Sequence, residues 1–267
     1  MITKENFLEN DSVQEFIDWL AGKLDKEFYH SYINRKECAK WSCNSIYNAY
    51  EKYIWNKEDF NDNYIHLQKL KHEIRNSIAQ NNNSDCKNIC LKILEWGGVS
   101  QKNKDRIINT TDIVSTLKIA QLKLSTGAIE EKLYYKDIHI NSGFSKIYSL
   151  CIDDYVIYDS RVGAALGFLV REYCLEKHLN KVPPILKFAY ANGRNPNVNR
   201  NPSIGCYKFP LLRKDNYIPN NIKANWLLKK ILSSPSKFKE LPSSMQLQAL
   251  DAALFMIGYE ILNEPTY

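Results

Sequence analysis

No apolar run in this chain approaches the roughly 20 residues that a membrane span requires; the longest, around 252–257, falls far short. The polar start MITKENFLEND lacks the apolar stretch of a secretory signal, so a cytoplasmic location is expected. Also missing are a CxxC pair, an HExxH helix, a Walker loop, a Rossmann glycine fingerprint and a GxSxG elbow. Zinc and nucleotide readings therefore have little to stand on, and no metal or cofactor is expected. Cys86 and Cys90 lie one helical turn apart and Cys38 and Cys43 are close in sequence, but nothing completes a ligand set. The seven cysteines are odd in number and scattered, in a chain long enough to bury a core, which favours thiols over a disulfide framework.

What is present is the composition of a globular protein of 267 residues, 44% hydrophobic and 25% charged, which excludes disorder as the overall state. Thirty-six Lys and Arg against thirty Asp and Glu give a net charge of +6. That surplus permits a polyanionic partner without demanding one. Aromatic content is 12%, with 17 tyrosines. Such rings can stack on bases or fill a pocket, although tyrosine is also common in Asn- and Lys-rich chains from AT-rich genomes.

The pattern predicts a mainly α protein. Val13, Phe16, Ile17, Leu20 and Leu24 recur on one helical face after Asp11 and Ser12, which supply N-cap chemistry. Further helices are expected over 39–55, 60–79, a stretch ending at Gly97 and Gly98, and 112–124. After Gly127 the pattern changes to short apolar pieces and a group of aspartates, INSGFSKIYSLCIDDYVIYDSRV. Val162, Ala165, Leu166, Leu169, Val170 and Tyr173 then mark an amphipathic helix behind Asp159 and Ser160. A long irregular loop is expected over 192–221, followed by helices at ANWLLKKIL and over 244–262. No strand-rich block stands out. Two regions follow, 1–126 helical and 127–267 bearing the informative segment, or one continuous domain.

Within that segment, Gly143 and Lys146 read as a turn that leads to Asp159 at a helix start. A carboxylate held there by backbone N–H groups stays ionised, so it can stabilise a developing positive charge or orient a water; an ordinary N-cap is the rival reading. Asp153 and Asp154 read as solvated turn residues.

SGFSKIYS followed by IYDSRVGAAL resembles the helix-hairpin-helix superfamily of DNA glycosylases, and within it the oxidised-guanine glycosylase fold. In that family a glycine-rich hairpin grips the DNA backbone through its amides, and an aspartate at the next helix start is catalytic. Gly143 matches the first hairpin glycine, Ser145 replaces the second, and Ser149 stands for a small alanine. Asp159 falls on the catalytic aspartate, with Arg161 where a histidine or arginine follows it. The chain departs from the family in placing Lys146 one residue after Ser145 rather than two, and in separating Gly143 from Asp159 by only sixteen positions.

The resemblance implies a helix-hairpin-helix glycosylase-like fold and an enzyme that extrudes a damaged or modified base from duplex DNA and cleaves its glycosidic bond. Its use would be repair or defence against phage with modified DNA. Asp159 would stabilise the cationic sugar. Lys146 could attack that sugar only as a free amine; a phosphate contact, and so a monofunctional enzyme, is the expectation. Gly143, Ser145, Arg161, Arg194, Arg200 and Lys208 are the candidate DNA contacts, with Arg213 and Lys214 in the same basic loop. Phe144, Tyr155, Tyr158 and Trp226 are candidates for a base pocket, or are simply core. A monomer is expected. The rival from another class is a catalytically silent DNA-binding or interaction module on the same scaffold.

Overall fold

The computed structural model describes residues 1–35, 38–193 and 195–262, without the side chain of residue 102. Along the chain these form β1 (Ile2–Thr3), α1 (Lys4–Leu8), α2 (Asp11–Lys23), β2 (His30–Asn34), β3 (Ala39–Cys43), α3 (Ile46–Glu51), α4 (Phe60–Ala79), α5 (Asn83–Trp96), α6 (Ser100–Asn109) and α7 (Ile113–Leu124). Then come β4 (Ala128–Ile129), α8 (Ser142–Cys151), α9 (Ser160–Glu176), α10 (Lys214–Ile231) and α11 (Ser243–Ile257), with short 3-10 turns at Lys132–Tyr135, Pro184–Leu186 and Lys237–Glu240. The protein is mainly α, as its periodicity predicts.

The strands make two antiparallel pairs. β1 pairs with β4, and β2 with β3 as a hairpin whose register runs from His30 opposite Cys43 to Asn34 opposite Ala39. The hairpin corrects the expected helix over 39–55: only 46–51 is helical, behind a Ser45 N-cap that accepts from Asn48 N–H. The cap of α2 is Asn10, one residue before Asp11.

A single apolar core runs through both halves of the chain. α9 lies at its centre and is buried on every face from Val162 to Arg171, rather than along one stripe. Small residues make this possible. A Cβ at Gly163 would strike the carbonyl of Ala189, and one at Gly167 would strike Pro202. α2 and α11 pack on α9, α3 packs on α11, and α4 and α5 pack on α8.

Two expectations near α8 and α10 are corrected, and one helix is new. Gly143 and Lys146 are not in a turn but in the first turns of α8, capped by Asn141, whose Oδ1 accepts from the N–H groups of Gly143 and Phe144. α6 was not expected from the pattern. The expected loop over 192–221 ends at Arg213, because 214–221 already belong to α10 despite Pro219. The reason is visible in the asparagines, which act as buried clamps rather than breakers. Asn220 Oδ1 accepts from Ala189 N–H, and Asn221 and Asn225 hold Val156.

Candidate functional site

The segment 156–158, which delivers Asp159 to the start of α9, is buried at Val156 and Tyr158, half-buried at Ile157, and has no strand partner. Buried backbone groups must be satisfied somewhere, and here side chains do it. Val156 N–H donates to Asn225 Oδ1 and its carbonyl accepts from Asn221 Nδ2. Ile157 N–H donates to Asp251 Oδ2 at 3.0 Å, and Tyr158 N–H to Ser145 Oγ at 2.9 Å. The Tyr158 carbonyl accepts from Tyr217 Oη. Helices α8, α10 and α11 thus hold this segment in place.

Asp159 is the N-cap of α9: its Oδ1 accepts from the N–H groups of Arg161 at 2.8 Å and Val162 at 3.2 Å. Its Oδ2 lies 3.4 Å from Lys146 Nζ, and both side chains are almost fully buried. Burial pushes the carboxyl up, but Lys146, Arg161 and the two amides outweigh it and leave the group below its ordinary value. Lys146 also donates to the Ser142 carbonyl. Gly97, just past α5, gives its stem room, since a Cβ there would overlap the Lys146 methylenes.

The pair opens into a cavity of about 1090 Å³, at the upper end of small-molecule sites. Trp55, Trp96, Tyr155, Tyr217, Phe255 and Tyr259 are among the aromatic residues that line it. Six cationic side chains and four carboxylates among the described residues share its walls, a surplus of positive charge. The Arg161 guanidinium sits 4.0 Å from the Phe255 ring centroid and 5.0 Å from that of Tyr259. Burial and the neighbouring Arg200 bring Arg161 down to about 10, against the pull of Asp159. Arg200 donates to Ser160 Oγ at 2.6 Å and to the Tyr259 carbonyl at 3.2 Å. His139, also in the wall, is lowered to about 4 by burial and by Arg106 and Lys214.

Of the residues singled out in the sequence, Lys146, Tyr155, Asp159, Arg161 and Arg200 meet at this cavity, as do Arg213 and Lys214. Lys146 is inside it rather than on the surface, which corrects its reading as a phosphate contact. Gly143 and Ser145 are not placed to grip DNA: the Gly143 amide is spent on Asn141, and Ser145 is fully buried against Tyr158 and Asn221. Gly143 instead lets α8 approach Asn103 of α6. Lys208 is exposed and outside the lining, and Arg194 lies outside the described residues.

Three expected pocket aromatics are core. Phe144 packs edge-on against His139, Tyr158 Oη donates to the Ala189 carbonyl, and Trp226 packs on Phe7. Asp153 and Asp154 pair with Arg75 and Lys229 and also border the cavity.

Sequence reasoning missed Trp55, Tyr217, Phe255, Tyr259 and Asp251. The last is raised to about 7 by burial and Asp159, against Ile157 N–H and Lys146. A lone aspartate one turn before Phe255 on an apolar helix was the available signal.

Among the described residues, no cluster of three or more His, Cys, Asp or Glu is arranged to hold a metal, and no helix is long and apolar enough to cross a membrane. Comparison with protein-family models, with curated proteins and with solved structures gave no match.

Proposed function

We propose that the chain is a DNA glycosylase that takes a damaged or modified base, extruded from DNA, into this cavity and hydrolyses its glycosidic bond. The observation that carries the reading is the buried Lys146–Asp159 pair at the wall of a large, aromatic-lined and cationic cavity. A nucleotide flipped from the stack needs a pocket with apolar faces and polar edges, and the flanking phosphates need cations such as Arg161, Arg200 and Lys214. Cleavage of a glycosidic bond builds positive charge on the sugar. Asp159, fixed by two amides and ionised, stabilises that charge and orients the attacking water. Lys146 donates to Asp159 and to the Ser142 carbonyl, which holds it as the positioning partner of the carboxylate, and a protonated amine is no nucleophile. In this reading the enzyme is monofunctional and leaves an abasic site, and removal of modified bases from phage DNA is its use.

One observation favours a second reading, a catalytically silent DNA-binding module: both oxygens of Asp159 already have partners, as in a purely structural cap. The test incubates wild type and Asp159→Asn with unmodified, oxidised and phage-type modified DNAs and scores alkali-labile sites. Sites made by wild type alone support the enzyme. DNA bound by both proteins with no sites on any substrate supports the silent module, and salt-insensitive, weak binding by both removes DNA from the account.

A further inference from the structure

Arg161 and Arg200 are brought together by shared neighbours. Arg161 follows Ser160 in the chain and lies over the Tyr259 ring at 5.0 Å, while Arg200 donates from Nη1 to Ser160 Oγ at 2.6 Å and from Nε to the Tyr259 carbonyl at 3.2 Å. Gly258 makes the meeting possible, because a Cβ there would strike the Arg161 carbonyl. The two guanidiniums lack a matching anion. Among the described residues neither forms an ion pair, since Lys146 holds one oxygen of Asp159 and the first amides of α9 hold the other. No guanidinium nitrogen of Arg161 has a hydrogen-bond partner among the described residues, nor has Arg200 Nη2, and none of these atoms is sealed from solvent. The Arg161 guanidinium lies among the rings of Trp55, Phe255 and Tyr259, at 5.6, 4.0 and 5.0 Å, and all three rings line the cavity, so its open donors belong to that space.

The charge there calls for more than a single negative group. Lys146, Arg161 and Arg200 face one carboxylate, Asp159, and a surplus above one positive charge remains even when Asp251, brought to about 7 by burial, gives up part of its proton. A phosphodiester supplies one negative charge; a terminal phosphate supplies about 1.5–2 at pH 7, with a third oxygen for the donors. Guanidinium forks take such oxygens in pairs.

We propose, building on the reading of the cavity as a base site, that Arg161 and Arg200 form a subsite for a terminal phosphate, so that the cavity takes a nucleoside monophosphate as a ligand in its own right. The base lies among the aromatic walls and the phosphate between the guanidiniums. A DNA diester can use the same arginines, but with one oxygen fewer and less charge.

Calorimetry on the whole chain measures binding of the 5′-monophosphates of the common deoxynucleosides and of oxidised deoxyguanosine, of the matching nucleosides, and of the methyl ester of the tightest nucleotide. That nucleotide is expected to bind about 10–100-fold more tightly than its nucleoside, the worth of charge-assisted hydrogen bonds, and at least about threefold more tightly than its methyl ester. Arg161→Met, checked for folding by circular dichroism, should erase most of the first difference. If that variant does not fold, the comparison of the ligands on wild type decides. Competition with 5′-phosphorylated and 5′-hydroxyl oligonucleotides separates the sources of the phosphate: displacement by the first alone supports the subsite on a DNA end, and displacement by neither supports it for the free nucleotide.

A nucleotide that binds no more tightly than its nucleoside overturns the proposal, as does wild type binding none of the nucleotides. So do a methyl ester that binds as well as the nucleotide, equal displacement by both oligonucleotides, and a folded Arg161→Met that keeps the difference. Binding needs no bond cleavage. Phosphate-dependent binding without base release from any DNA would fail only the glycosylase reading, and base release without phosphate-dependent binding would fail only this one.

Discussion

The α-carbon of Gly97 lies against the methylene stem of Lys146, so closely that the Cβ of any other residue would occupy the same space. Lys146 reaches Asp159 only because α5 ends on a residue without a side chain. Gly97→Ala is expected to cost about 1–3 kcal/mol, as overpacked interiors do, and to reduce base release by moving the lysine. Gly22→Ala is the contrast: no atom lies within 4 Å of a Cβ there, in an exposed turn of α2. That substitution should stabilise by about 0.5–1 kcal/mol. Thermal melts of the two variants check both signs.

Asp159→Asn should fold, since asparagine is as good an N-cap as aspartate, but it leaves the Lys146 ammonium buried without its anion. Removing one member of a buried pair costs about 3–5 kcal/mol. The double variant Asp159→Asn, Lys146→Met should recover much of that stability. Neither variant should recover base release, which is expected to fall by about 10²–10⁴-fold. Borohydride treatment of wild type with its substrate should trap no covalent adduct. An adduct that disappears with Lys146→Met would make the amine, not water, the nucleophile.

Arg161 tests the polyanion side of the cavity. Its planar guanidinium lies over the rings of both Phe255 and Tyr259, a place an ammonium fills poorly. Arg161→Met should weaken DNA binding about equally across sequences and lower the slope of log affinity against log salt by about 1. Filter binding at several salt concentrations measures both.

Stability should depend on pH with two opposing slopes. His30 is fully buried and lowered to about 4 by desolvation, against its bond to the Glu260 carbonyl. The unfolded chain takes up that proton near 6.5, and His139 is lowered in the same way, so the fold loses stability as pH falls from about 6.5 to about 4, at up to about 1.4 kcal/mol per pH unit for each. Asp251 acts in the other direction. With a folded value of about 7 against an ordinary 3.8, its contribution is complete below about pH 4 and is lost as pH rises through 7. Urea denaturation across this range should show Asp251→Asn removing the second slope and leaving the first.

Helices whose apolar residues recur at the helical period were legible before the structure. α4 matches the expected 60–79, and α7 and α9 start where Asp112 and Asp159 cap them. The hairpin was not, because its strands are five residues each and its apolar residues do not alternate cleanly. The start of α10 was hidden by Pro219 and by asparagines whose partners, at 156 and 189, are more than thirty positions away in the chain. At the site, Asp159 was legible because capping is local. Asp251, Trp55 and Phe255 were not, since only the packing of α3, α9 and α11 brings them to one cavity.

The side-chain clamp on 156–158 has a consequence for the newly made chain. Its five members stand at 145, 217, 221, 225 and 251, so a ribosome must have released α11 before the last of them can engage. Helices completed earlier can pack, but the Ile157 N–H gains its side-chain partner only once α11 has emerged. The clamp is therefore completed in the order of the chain, and a fragment truncated before 251 keeps four of its five members and leaves the Ile157 N–H without its carboxylate.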